Sequence, residues 1–377
     1  MDITDSNRVN LKQLINTNSK MSTAIQKDRI EFIDAMRGFT MLLVVFSHVL
    51  TISFKSNPSF SFNEIFLSFR MPLFFFLSGF LCYKSGKFSE SKGIIEFVKK
   101  KFVAQIIPTA IFITIYAVLF QQAVGEMWLH TYKGGYWFTF VLFFYFLFFI
   151  ISIVISKTAK KKSLKILIIG GGALLIYLLS LFSVHPYCPW KESWICGFFS
   201  MPLYKYYIFF LFGVFVKWQY ERFNSLFDRK WFLTTCIIMF FVLQTLSCLI
   251  ADTEGLVWQI RGSIIKPILG FFGIIIVFAC FKRYKTSFSQ SSFVGRGLQY
   301  IGQRTLDIYL LHYFLLPKNL SVLGNFFMQY NNPIVELIVG LVFALLIVGL
   351  CLVISNVIRT SDILAKVLFG KVILKEK

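Results

Sequence analysis

Residues 35–54 read AMRGFTMLLVVFSHVLTISF: one guanidinium near the start, one imidazole past the middle, and apolar side chains between and around them. Crossing a hydrocarbon layer of roughly 30 Å takes about 20 helical residues, so this run predicts a transmembrane helix. Nine further runs of the same kind follow, near 65–83, 102–121, 136–156, 164–184, 202–216, 231–250, 262–281, 298–317 and 333–356. Lipid offers no water to backbone N–H and C=O groups, and these runs lack the alternation of barrel strands. The expected fold is therefore all-α, a polytopic transmembrane helix bundle of about ten spans. A polar cytoplasmic tail is expected at 1–30, the membrane-embedded domain at 31–356 and a basic cytoplasmic tail at 357–377.

Composition agrees. The 377 residues are 56% hydrophobic and 19% aromatic, with 47 Phe, and only 15% are charged, against about 25% in a soluble domain. Mean hydropathy is +0.69. An ordinary soluble enzyme, a disordered chain and a disulfide scaffold are all excluded. The net charge of +21 would suit nucleic acid, but its placement points elsewhere. With the N-terminus inside, 28 of the 39 Lys and Arg fall on inner segments. Only Lys55, Lys133, Lys191, Arg261 and Lys318 fall on outer loops. That alternation is the positive-inside pattern, so both termini are expected in the cytoplasm. Topology and anionic headgroups account for the charge, and no nucleic-acid partner is called for.

Residues 1–28 have no apolar core and no small-residue cleavage site, so the first span is expected to be the insertion signal. Of the seven Cys, Cys188 and Cys196 share an outer loop, where their separation permits a disulfide. The four His are scattered, and no metal is expected.

Ionisable groups inside spans are expensive and usually face a bundle interior or a wet cavity. Lys165, Lys205, Lys266 and Glu336 stand close to span ends and are expected to snorkel to the interface. The informative residues lie deeper. Arg37 and His48 are eleven residues apart, which is about 20° off three full helical turns and roughly 16 Å of rise. They share one stripe, with Asp34 one turn below Arg37. One face thus carries a cation at the inner end and an imidazole deep in the span. Arg70, in Phe69-Arg-Met-Pro-Leu-Phe-Phe-Phe-Leu-Ser-Gly-Phe80, reaches a level similar to His48. In the ninth run, Arg304 and Asp307 are spaced to pair within the helix, and His312 lies near the level of His48 and Arg70. Tyr136, Trp137 and Trp194 flank outer span ends, where belt and sugar-stacking readings both stand.

With these residues in hand, the chain resembles the integral-membrane acyltransferase-3 family, and most nearly its fucose 4-O-acetylase-like, surface-glycan O-acetyltransferase branch. Three stretches carry the resemblance. Ile33-Asp34-Ala-Met-Arg37-Gly38 followed by His48 is similar to the first-helix signature. Phe69 to Phe80 looks like the second-helix block. Ile301-Gly302 through Thr305-Leu-Asp307-Ile-Tyr309-Leu-Leu-His312 looks like the penultimate-helix signature. Weaker similarities are Tyr136-Trp137-Phe138 and Phe209 to Gly213. The chain departs from the family twice. Arg70 stands where a His is frequent. Lys99, Lys100 and Lys101, with Gln105 before Pro108, stand where many relatives carry Arg-x-x-Arg, so charge is kept but bidentate phosphate recognition is not.

The resemblance implies transfer of an acetyl group from cytoplasmic acetyl-CoA to a hydroxyl of a glycan, often lipid-linked, at a bacterial inner membrane. His48 would be the general base or a transient acyl carrier. Arg70 or His312 would stabilise the oxyanion. Arg37 and Lys99–Lys101 would meet the CoA phosphates. Asp34, Arg304, Asp307 and Tyr309 would orient the others. A transporter or flippase of a lipid-linked glycan is the competing reading, since a translocation path also needs buried polar residues.

Overall fold

The computed structural model describes residues 31–56, 61–83, 91–185, 187–251 and 254–370. The tail expected at 1–30 and the last part of the basic tail lie outside the described residues. The principal helices are α1 (Glu31–Phe54), α2 (Phe62–Cys82), α3 (Lys92–Leu119), α4 (Trp137–Ser156), α5 (Lys162–Phe182) and α6 (Tyr207–Trp218). They continue as α7 (Lys230–Leu249), α8 (Gly255–Arg283), α9 (Phe293–Gln303), α10 (Thr305–Leu315), α11 (Pro333–Ile358) and α12 (Asp362–Phe369). Among the described residues no strand occurs. Eight helices, α1 to α5 with α7, α8 and α11, are long and apolar enough to cross a membrane. The protein is an all-α polytopic helix bundle.

The two remaining expected spans are broken helices. Residues 202–216 form a tight 3-10 segment, Met201–Tyr206, that runs into α6. Residues 298–317 divide at Arg304, whose φ of −109° and ψ of 16° separate α9 from α10. Such interruptions are tolerated at membrane depth only where protein supplies the missing partners. Here Thr305 Oγ1 bonds the Gly302 carbonyl at 3.3 Å. Two other helices begin earlier than expected. α3 and α8 each contain a π-helical turn, Phe102–Ile106 and Arg261–Ile265, just ahead of Pro108 and Pro267. A proline lacks the N–H and clashes with the preceding turn, which a wider turn relieves. Lys99, Lys100 and Lys101 therefore stand on a helix and not in a loop. Arg261, expected on an outer loop, is helical too and donates from Nε to the Ser247 carbonyl at 2.8 Å.

Between apolar helices in lipid, close packing and polar contacts replace the hydrophobic driving force. Two pairs of glycines make reciprocal close crossings. A Cβ on Gly302 would lie 1.9 Å from the Asp34 carbonyl oxygen, and one on Gly38 would lie 1.9 Å from that of Leu298. α1 and α9 therefore touch backbone to backbone beside Arg37. Gly79 and Gly213 do the same for α2 and α6, against the carbonyls of Phe210 and Phe76. Aromatic rings fill the space around them, mostly tilted or edge-on. Phe75 stands at the hub, 4.9 Å from Phe138, 4.8 Å from Tyr145 and 5.6 Å from Tyr206 between ring centroids.

One expectation is corrected. Glu336 does not snorkel: it is 2% exposed in the first turn of α11 and accepts from the Ser56 and Ser61 hydroxyls at 2.6 and 2.5 Å. Lys133 stands between two spans, as expected, and is buried there: its ammonium donates to the carbonyls of Trp128, His130 and Gly197, with the Phe140 ring centroid 4.7 Å away. Burial pushes that ammonium down to about 8 from 10.5. Within the stretch from 357, α12 folds back and buries Phe369 against Phe112, ring centroids 6.4 Å apart. Cys188 and Cys196 are buried free thiols.

Candidate active site

Arg37 and His48 on α1 line one cavity of about 720 Å³. Its walls come from α1, α2, α3, α4 and α10, together with Tyr132, Gly135 and Tyr206. At the Arg37 end it is lined by Cys82 and Lys101, at the other by His48, Thr51 and Tyr132. The shared stripe of the sequence is thus the floor of a passage spanning roughly 20 Å of helix, from Arg37 to Thr51. Arg37, Arg70 and Lys101 all contribute to the lining, and among the described residues no Asp or Glu does.

At the Arg37 end, Nη1 pairs with Asp34 Oδ1 at 3.1 Å and Nη2 donates to Thr305 Oγ1 at 2.9 Å. Asp34 orients Arg37 from its own helix, and Thr305 does so across the glycine crossing. Both glycines of the first and third motifs are thereby explained, since any side chain at Gly38 or Gly302 would push Thr305 away from Arg37. Of the three lysines, Lys101 lines the cavity, with its ammonium 4.1 Å from the Phe146 ring centroid. Lys100 pairs with Glu96 at 2.8 Å, and neither it nor Lys99 is among the lining residues.

At the far end the two imidazoles meet. His48 Nδ1 lies 3.0 Å from His312 Nε2, with the rings within 7° of parallel. His312 Nδ1 lies 3.0 Å from the Ile308 carbonyl oxygen. A carbonyl only accepts, so His312 carries its proton on Nδ1 and presents a bare Nε2 to His48. His48 in turn carries its proton on Nδ1, and its Nε2 is left with a lone pair. That nitrogen faces Tyr313, whose Oη lies 3.5 Å away, and His48 lines the cavity. The helix backbone thus sets the tautomer of His48 through His312. His312 itself is 0% exposed and does not line the cavity, so it stands behind His48 and not beside the reacting atoms.

Arg70 is held one helical turn from His48. Its Nη1 donates to the Val44 carbonyl at 3.2 Å, its Nε has no hydrogen-bond partner among the described residues, and it lines the cavity at 9% exposure. A buried guanidinium with one carbonyl for company is a standing demand for negative charge. Tyr309 fixes the opposite wall: its Oη donates to the Gly135 carbonyl at 3.0 Å and accepts from the Phe138 N–H at 3.0 Å.

Arg304 and Asp307 do not reach the cavity. Their expected pair exists at 3.6 Å, but Asp307 is held chiefly by Arg359, in a two-pronged pair at 2.7 and 2.8 Å, and by the Ser355 hydroxyl. Sequence reasoning missed Arg359, Tyr313, Thr305 and Gln105. Arg359 looked like one more basic residue after the last span. Tyr313 had a signal, since it directly follows His312. Thr305 and Gln105 carry no charge and so escaped a search for ionisable groups.

A family model described as an acyltransferase domain matches residues 30–353. The chain belongs to the acyltransferase-3 family. It is a membrane acyltransferase, which decides between the enzymatic and the transport readings of the buried polar residues. Neither a curated protein nor a solved structure matches it. The matched region of this acyltransferase spans the passage from Arg37 on α1 to His312 on α10 and most of α11.

Proposed function

We propose that this acyltransferase moves an acetyl group from cytoplasmic acetyl-CoA to a hydroxyl of a cell-surface or lipid-linked glycan, in a bacterial inner membrane. The observation that carries the reading is the single cavity with a cationic end at Arg37 and Lys101 and a tautomer-fixed imidazole at the other. The positive-inside pattern puts Arg37 and Lys101 at the cytoplasmic mouth, where the CoA phosphates arrive. The thioester then extends toward His48, about 16 Å along the helix.

In the transfer, His48 Nε2 takes the proton of the acceptor hydroxyl as its oxygen attacks the thioester carbonyl. The Arg70 guanidinium stabilises the oxyanion that forms. Collapse breaks the carbon–sulfur bond, and the proton held on His48 passes to the CoA thiolate. The products are an O-acetyl ester and CoA, and no proton is gained or lost. Tyr132, Trp137 and Tyr206 line the passage toward its outer end, and their faces suit stacking on a sugar ring.

The test supplies labelled acetyl-CoA to membranes that contain the native glycan and scores label in base-labile ester. Incorporation that depends on the acyltransferase is expected. Its absence, with folded protein and competent acceptor, overturns the donor and acceptor assignment.

A further inference from the structure

Three cations gather at the outer ends of the helices, on the side where the positive-inside pattern leaves few. Lys205 stands in the 3-10 segment ahead of α6, and Arg261 and Lys266 stand in the first half of α8. One turn of α5 holds both segments. Ser180 Oγ accepts from the Lys205 N–H at 2.9 Å, and Tyr177 Oη donates to the Ser263 carbonyl inside the π-helical turn Arg261–Ile265. Residues at i and i+3 share a helix face, so the two segments meet there. Their charges reach one another: Lys266 is repelled by Arg261 and Lys205, and Glu64 on α2 attracts it. Arg261 is tethered through Nε to the Ser247 carbonyl and hydroxyl at 2.8 and 3.1 Å. Among the described residues, the ammonium groups of Lys205 and Lys266 have no hydrogen-bond or ion-pair partner. Like charges drawn together without enough counter-charge are costly unless an anion joins them. The cluster stands beside the lining of the passage and not in it. Lys205 Nζ lies 5.5 Å from the ring centroid of Tyr206, which lines the cavity, and Tyr132, also of the lining, acts on the same charge.

We propose that Lys205, Arg261 and Lys266 seat the phosphate of a lipid-linked glycan acceptor beside the outer mouth of the passage. Ammonium groups bind phosphate as point charges, and the ends of spans lie at the depth of lipid headgroups. Lys266 is exposed between Ile264 and Ile268, themselves 53% and 39% exposed. An apolar tail can therefore run down the outside of α8 from a phosphate held there. On its other side the phosphate carries the sugar, and Tyr206 and Tyr132 lead from Lys205 into the passage that His48 lines. The inference rests on the proposed reading of the acceptor and narrows it to a glycan still joined to its lipid by phosphate. The cluster holds the acceptor and takes no part in bond making.

The test titrates the full-length protein in phosphatidylcholine nanodiscs and counts bound lipid by native mass spectrometry, with no acyl donor present. Three probes are compared at equal mole fraction: geranylgeranyl phosphate, its uncharged alcohol geranylgeraniol, and phosphatidylglycerol, whose phosphate belongs to bulk lipid. Wild type is expected to hold the prenyl phosphate in preference to both others. Replacing Lys205, Arg261 and Lys266 together by Gln is expected to weaken that binding roughly five-fold for each charge removed, with the alcohol unchanged. Lys266→Gln alone, at the exposed position, should give a single step of that size and serves if the triple variant does not fold; Lys266→Arg keeps the charge and should keep the binding. Prenyl phosphate bound no better than the alcohol, or as tightly by the glutamine variants as by wild type, overturns the site. Phosphatidylglycerol bound as tightly as the prenyl phosphate overturns the acceptor assignment, since the cluster then holds bulk lipid. Because no donor is present, the labelled-acetyl assay fails or succeeds separately: no ester there, with the prenyl phosphate preference intact, overturns the acetyl-CoA reading and leaves the phosphate seat standing.

Discussion

Removing His312 should disable the enzyme without touching the cavity wall. The contact at 3.0 Å between His48 Nδ1 and His312 Nε2 is what holds the His48 proton on Nδ1. In His312→Leu that proton loses its buried acceptor, and the tautomer with the proton on Nε2 is no longer disfavoured. A buried donor left unpaired costs about 1–3 kcal/mol, which corresponds to a change of roughly 5- to 160-fold in tautomer ratio. Initial rates of label transfer from acetyl-CoA should fall within that range, with the KM for acetyl-CoA nearly unchanged because His312 does not line the cavity. His312→Gln places a carbonyl oxygen where Nε2 stood and should recover most of the loss. His48→Ala should cost more, about 10²- to 10⁴-fold, since it removes the base itself. Full activity in His312→Leu refutes the reasoning. So does a glutamine variant no better than leucine.

Further outcomes follow from the same geometry. Arg70→Met should lower kcat about 10²- to 10³-fold, as loss of an oxyanion donor does, while leaving thermal stability equal or higher because a buried unpaired charge is removed; unchanged kcat would take Arg70 out of the chemistry. Gly302→Ala must open the α1–α9 crossing, because 1.9 Å to the Asp34 oxygen is far inside contact distance; a cost of about 1–3 kcal/mol is expected in unfolding experiments, together with a raised KM for acetyl-CoA through Arg37. Arg359→Met leaves Asp307 buried at 1% exposure with the Ser355 hydroxyl and the longer Arg304 contact as its remaining partners and should destabilise by about 3–5 kcal/mol, with Asp307→Leu restoring much of it in the double variant. Lys133 has its folded-state pKa lowered to about 8 from 10.5, so its charged form costs stability below about 8 and the cost is relieved as pH rises toward 10.5. The thermal midpoint of wild type should therefore gain on that of Lys133→Met across this window; a constant difference would refute the assignment.

Much of this was legible from the chain because membrane physics is severe. Twenty apolar residues in a row have few fates, and all eight long apolar helices coincide with runs read from the sequence. The register of Arg37 with His48 survived for the same reason: one unbroken helix carries both, so counting residues measures distance. Where several segments had to meet, counting failed. Nothing in the run 298–317 shows that α9 and α10 part at Arg304, since the break depends on Arg37 reaching Thr305 across the glycine crossing. Asp307 looked like a partner for Arg304 because the sequence displays neighbours at i+3, whereas Arg359 lies 52 residues away. Glu336 misled in the other direction. A charge near a span end usually finds water, and here the hydroxyls of Ser56 and Ser61, from elsewhere in the chain, close over it.

The central claim is that one passage joins a donor arriving at Arg37 and Lys101 to an acceptor activated at His48. Sealed inside-out vesicles test it most directly, with membrane-impermeant labelled acetyl-CoA outside and the glycan acceptor confined to the lumen. The account predicts ester label on the luminal acceptor with wild type and none with His48→Ala at matched expression. Ester formed only when donor and acceptor share one side of the membrane, or formed equally by His48→Ala, would contradict it.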